Sequence, residues 1–168
     1  MKPLPLRLIA LLALTLLAGC GLRPVYSGGS NGPVARALGN IEVPAIEGKA
    51  GWLVRNALND RLSRMQGDGP AYRLVVKLDD QISGFGLRAD AAITRERRTL
   101  RARYQLVDQA TGAQLIDATA GSDAGIDVTS SEYATIAAED TALERLSQTI
   151  ADQIVARLAL FAAADGKP

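Results

Sequence analysis

The 168-residue chain has no histidine, one cysteine and only 4% aromatic residues. Without histidine there is no Ser–His triad, no imidazole metal site and no imidazole general base. A single thiol has no internal disulfide partner. An excess of charge is missing as well: 19 Lys+Arg against 18 Asp+Glu leave +1, which argues against a bulk nucleic-acid binder. Carboxylate or lysine chemistry is still open by composition, yet no clustered acid pair suggests it. The expectation is a protein that is not an enzyme, with no metal and no catalytic residues. The scarcity of aromatics leaves Ala, Leu, Ile and Val to fill one hydrophobic core, for which the chain is long enough.

The lone cysteine ends a recognisable segment. Lys2 and Arg7 precede an apolar run from Leu8 to Leu17, and Leu17-Ala18-Gly19-Cys20 follows. A basic start, a short apolar core and small residues before the cut describe a secretory signal, too short for a comfortable membrane span. Cys20 directly after Leu-Ala-Gly resembles a bacterial lipobox, which implies that Cys20 becomes the first mature residue and carries acyl chains, palmitate among them. That covalent lipid is the only non-protein group expected. Each buried CH₂ contributes about 0.8 kcal/mol, so several chains hold a protein to a bilayer where one does not. The competing reading is an ordinary secreted protein with a stray cysteine. Loss of Lys2 and Arg7 takes Lys+Arg from 19 to 17, so the mature charge is −1. Gly21 stands where an Asp would retain many lipoproteins at the inner membrane, which points to the outer membrane.

Beyond Cys20, the Ser27–Pro33 run is rich in Gly and Ser and reads as a flexible tether. The expected division is signal 1–19, lipidated tether 20–39, folded domain 40–163 and disordered tail 164–168. Ile41, Val43 and Ala45 alternate with polar residues and Pro44, a short strand at an edge or with an early end. Gly48 and Gly51 break it. From Trp52 to Met65 the period becomes helical, with Val54, Leu58, Leu62 and Met65 on one face. Gly67-Asp68-Gly69-Pro70 ends that helix.

Three strands follow. Tyr72, Leu74, Val76 and Leu78 share one face of the first; Gly84-Phe85-Gly86 interrupts it, and the stretch to Ala92 is a loop or a bulged continuation. Leu100, Ala102, Tyr104 and Leu106 share one face of the next. A turn at Asp108–Gly112 returns the chain as Gln114–Ala120, extendable to Val128. The longest regular segment comes last. Thr129 and Glu132 have capping-box spacing, with Ser130 or Ser131 as rival caps. Tyr133, Ile136, Ala137, Leu143, Leu146, Ile150, Ile154, Leu158 and Phe161 then trace a helical stripe. The order β-α-β-β-β-α, with one apolar face per element, predicts an α+β two-layer sandwich: two helices packed on one face of a four-stranded sheet.

Period two sends Arg101 and Arg103 to the face opposite Leu100 and Tyr104, and the same phase reaches back to Arg95 and Arg97. Lys77 and Arg73 have the corresponding phase on the preceding strand. Same-face positions lie about 7 Å apart, a pitch at which arginines engage separate phosphate or carboxylate groups. The alternatives are the solvated face of an antiparallel sheet, or a face pairing with acids of a partner. Arg98 is out of phase and is assigned to a turn.

Taken together, Cys20 with Arg23-Pro24-Val25-Tyr26, the Leu53–Leu58 helix segment, Thr94-Arg95 and Ala102–Leu106 resemble the LptE family, most strongly its alphaproteobacterial branch. Ser131–Glu139 and Ala151–Ile154 carry the same likeness. The resemblance implies an outer-membrane lipoprotein whose domain lies on the periplasmic side, binds and plugs the LptD β-barrel, and assists lipopolysaccharide delivery to the surface. Its partners would be that barrel, lipopolysaccharide and the outer-membrane lipid, with no nucleic acid. On that reading Arg95, Arg97, Arg101, Arg103 and Lys77 are the candidate lipopolysaccharide-binding residues. An accessory lipoprotein of a lipid-transport ABC system is the alternative.

Cys20→Ala is expected to leave the chain unprocessed or free in the periplasm. Detergent phase partitioning and mass spectrometry of the N-terminus check this; a variant still processed and still detergent-dependent removes the anchor.

Overall fold

Along each long strand the apolar side chains keep to one parity, and that parity decides which face of the sheet the helices cover. In the computed structural model, residues 32–63, 69, 71–87 and 93–165 are described. They form α1 (Pro33–Gly39), β1 (Ile41–Glu42), α2 (Gly48–Leu62), β2 (Tyr72–Leu87), β3 (Ile93–Asp108), β4 (Gln114–Asp127) and α3 (Glu132–Asp165). The strands make one mixed sheet in the spatial order β1-β2-β3-β4, with β1 parallel to β2 and the other pairs antiparallel. The α+β architecture is as expected, with one helix more. Cys20, the tether up to residue 31 and Met65 lie outside the described residues.

The folded part starts earlier than the expected Asn40. Pro33 stands in the first turn of α1, where its missing N–H costs nothing and its fixed φ suits the helix. Val34 and Leu38, one turn apart, are buried in the common core. The Gly/Ser composition just upstream obscured this i, i+4 pair. β1 then pairs only Ile41 and Glu42 with Tyr72 and Arg73 before Val43 turns into the core. The early end anticipated from Pro44 is observed.

Helix α2 begins four residues before Trp52, because Gly48 and Gly51 belong to its first turn instead of preceding it. At Gly51 an added Cβ would sit 2.5 Å from the Ile46 carbonyl oxygen, so only glycine permits this crossing of chain on chain. Val54, Leu58 and Leu62 are buried as the period predicts, whereas Trp52 lies on the solvent side.

Through Gly84-Phe85-Gly86 the second strand continues to Leu87, in register with β3 as far as Ile93. Leu74, Leu100, Ala102, Tyr104 and Leu106 all face the helices and are buried. At the other hairpin the Asp108 carboxylate accepts hydrogen bonds from the backbone N–H of Ala110 and Thr111, and Gly112 closes the turn at φ 71°.

Helix α3 starts at Glu132, directly after the anticipated cap residues, and runs past the expected domain end at 163 to Asp165. Its stripe is correct from Leu143 through Leu158, where Leu146, Ile150 and Ile154 seat on β3 and β4. The first two turns depart from it: Tyr133 is 88% exposed and Ile136 47%. At the matching end of the sheet β2 and β3 present Gly84, Gly86 and Glu96, and Ile126 of β4, beside Glu96, is a buried apolar side chain there.

A single melting series checks this packing. Ile154→Asp buries an unpaired charge, a cost of several kcal/mol against a total stability of about 5–15 kcal/mol, and should abolish the cooperative transition. Leu38→Ala should cost about 2–5 kcal/mol, a loss that a tether residue would not show. Gln148→Asp, on the solvent side, should be nearly silent; equal melting of all three would mean the wrong helix face is buried.

Candidate functional site

Because the helices take the even-numbered face of β3, the odd-numbered face is left open, and there the sheet places its charges. Arg95, Arg97, Arg101 and Arg103 stand along β3 in that order, with Lys77 beside Arg103 on β2. Lys77, Asp79, Arg101, Arg103 and Thr119 rim a shallow depression of about 420 Å³, floored by Leu78 and Ala102. The structure therefore gathers Lys77, Arg101 and Arg103 at mid-sheet and leaves Arg95 and Arg97 toward the hairpin end.

The stripe is less positive than period two on β3 suggested. Cross-strand pairing brings acids of β4 onto the same face: Asp117, Asp123 and Asp127 register with Gln105, Thr99 and Arg95. Arg103 donates a fork of hydrogen bonds to Asp117 at 3.1 and 2.8 Å, and Gln105 adds a third at 3.0 Å. Those donors, Arg103 first, hold the Asp117 carboxyl at about 2. Arg95 meets Asp127 at 3.2 Å. These exposed pairs contribute little stability. They neutralise two of the five candidates.

The other three differ. The Arg97 guanidinium lies over the Phe85 ring, 5.4 Å from its centre. Arg101 stretches across Gly121, where a Cβ would come within 2.6 Å of its Cδ, and donates to the Ser122 carbonyl at 3.1 Å. Opposite Arg97 stands Gly125, again without a side chain. Among the described residues no carboxylate lies within ion-pairing distance of Lys77, Arg97 or Arg101. These three cations, two of them beside glycines, are the part of the face that is open to an anion.

Arg98 is not in a turn. It sits mid-strand on the helix side, 9% exposed, with Nε and Nη2 donating to both oxygens of Asp80 at 2.9 and 2.6 Å. Its Nη1 donates to the Glu139 carbonyl at 3.0 Å, which ties the first turns of α3 to the sheet. Removing one partner of such a buried, forked pair costs about 3–5 kcal/mol. The signal was present in the sequence as Asp80 and Arg98 in the buried phase of adjacent strands. Nearby, burial and then the Glu96 carboxylate raise the Glu139 carboxyl above its usual range.

Among the described residues no group of three or more His, Cys, Asp or Glu is spaced to hold a metal. No described helix is long and apolar enough to cross a membrane.

A family model for LptE, described as lipopolysaccharide-assembly, matches residues 38–158. The chain belongs to the LptE family. Its structure is similar to that of a candidate lipoprotein from Caulobacter crescentus CB15, with 31% identity, TM-score 0.65, and coverage of 80% of this chain and 97% of that one. Rare lipoprotein B from Shewanella oneidensis shares the fold at 14% identity and TM-score 0.55, covering 76% of this chain and 98% of its own. Lipoprotein B from Nitrosomonas europaea does so at 17% and 0.55, covering 74% and 83%. No curated protein matches. In this LptE-family chain the matched span runs from Leu38 at the end of α1 to Leu158 in α3, so it takes in the whole sheet and both of its open-face basic strands.

The Glu139 carboxyl gives a pH prediction. Raised above its unfolded value of 4.5, it binds a proton first in the folded chain. Its contribution therefore improves as pH falls through the folded value, is complete below about 4.5, and is lost on return to neutral pH. Glu139→Gln should flatten that component of the melting temperature between pH 7 and pH 4. An unaltered pH profile would remove Glu139 from the account.

Proposed function

We propose that this LptE-family chain is an outer-membrane lipoprotein, anchored through acyl chains on Cys20, that binds and plugs an LptD-like β-barrel and assists lipopolysaccharide assembly at the cell surface. The observation that carries this reading is the family match across residues 38–158. The domain's open face supports it. A sheet covered by helices on one side and lined with Arg, Lys and Asp on the other suits the polar interior of a large barrel. The cations not already paired, Lys77, Arg97 and Arg101, suit either the phosphates and carboxylates of lipopolysaccharide or acids of the barrel wall. Its role is binding and assembly, with no bond-making chemistry and no cofactor beyond the covalent lipid.

Affinity purification of the full-length chain from solubilised outer membrane should bring down one β-barrel in near-stoichiometric amount. Recovery of ABC-transporter subunits instead would move the assignment to that class. Arg97→Glu with Arg101→Glu should weaken lipopolysaccharide binding without changing the melt, and wild-type binding should fall with added salt. Unchanged lipopolysaccharide affinity in the folded double variant would assign the cations to the barrel wall.

A further inference from the structure

The two edges of the sheet are treated differently. On β4 the outward peptide of Gly121 is occupied: the Gln153 side chain of α3 accepts from its N–H at 3.1 Å and donates to its carbonyl at 3.2 Å. On the opposite side β1 covers only Tyr72 and Arg73, so among the described residues β2 from Leu74 onward has no strand on its outer side. A bare edge of that length is a row of unpaired N–H and C=O groups, which proteins ordinarily blunt or pair. Ile82, 42% exposed, stands on it.

We propose that this edge pairs with the same edge of a second copy, antiparallel about a two-fold axis at Leu78. The residues of β2 select that register. If the axis is normal to the sheet, helix-facing residues must oppose helix-facing residues, so the axis passes through a residue and not between two. Centring on Lys77, Asp79 or Asp80 opposes a charge with itself, and the Asp80 carboxylate already serves Arg98. Centring on Leu78 places Lys77 opposite Asp79 of the second copy, twice by symmetry, on the open face. Lys77 and Asp79 are both exposed, and neither has an ion-pair partner among the described residues. On the helix side the same register sets exposed Ile82 against Leu74. Pairing then runs from Leu74 to Ile82, beginning where β1 stops covering the edge. Beyond it Gly84 and Gly86, the latter at φ 80°, let the hairpin end turn away from the second copy's β1. The pairing goes beyond the barrel-binding role and is an alternative to it: Lys77 engaged with a second copy is not free for an anion, so the paired form is that of the chain outside a barrel.

The test uses the full-length chain in detergent, with light scattering corrected for the micelle across a concentration series. A dimer is expected. Lys77→Glu should raise its dissociation constant about tenfold by replacing two attractive cross-strand pairs with repulsive ones. Exchanging the charges, Lys77→Asp with Asp79→Lys, should restore it, and at concentrations below the dissociation constant every variant should melt at the same temperature as wild type. Under mild oxidation a mixture of Lys77→Cys and Asp79→Cys chains should give a mixed disulfide that Arg103→Cys, on the central strand, does not form with either. Wild-type chain under the same oxidation controls for Cys20. A monomer at every concentration overturns the proposal, and so does a dimer indifferent to the charge exchange and without the mixed disulfide.

Discussion

The fold depends on the seating of α3 across β3 and β4. Ile150, Ile154 and Leu158 on the helix meet Leu100, Ala102, Tyr104 and Leu106 on β3 and Ile116 and Ala120 on β4, all within one buried cluster. Full burial of an aliphatic side chain is worth about 1.5–3 kcal/mol, so this contact supplies much of what offsets the ordering of the chain. It also assigns the two faces of the sheet. Once the even-numbered side chains of β3 are under the helix, Arg95, Arg97, Arg101 and Arg103 have only the open face.

That face is a consequence of small residues as much as of charged ones. Gly121 on β4 leaves room that Arg101 occupies, lying flat over the strand, while Arg97 stacks on Phe85 of β2 and leaves the space at Gly125 open. Where β4 carries acids within reach, the arginines are tied down as ion pairs: Arg95 with Asp127 opposite it, and Arg103 diagonally with Asp117. The reach of Asp117 and Asp127 thus divides a row of like arginines into paired and available ones. The edges follow a related logic: α3 reaches over β4 with Gln153, while among the described residues the short β1 leaves most of β2 uncovered.

Much of this was legible in the residues. Apolar alternation in Tyr72–Leu78 and Leu100–Leu106, and the stripe from Leu143 to Leu158, placed the strands and the long helix on the correct faces. Three features were missed for physical reasons. The Val34–Leu38 pair spans a single turn, too short for periodicity to stand out beside a Gly/Ser run. The first turns of α3 carry apolar residues in phase with the stripe, but burial needs a partner surface and at that end β2 and β3 offer Gly84, Gly86 and Glu96 in the helix-facing phase. Arg98 looked misplaced because a charge in a buried phase is explicable only when its partner is known, and Asp80 lies 18 positions away.

By itself the sequence determined the periodicities, and with them the element types, the helix-facing side of each strand and the membership of the Arg95–Arg103 row. These are local properties, set by side-chain direction every 2 or 3.6 residues. Tertiary structure alone decided which arginines are neutralised, that Arg98 reaches both Asp80 and Glu139, that α1 joins the core and that, among the described residues, β1 covers only the start of β2. Each of those depends on the register between segments distant in the chain, and a shift of one residue there would reverse every face.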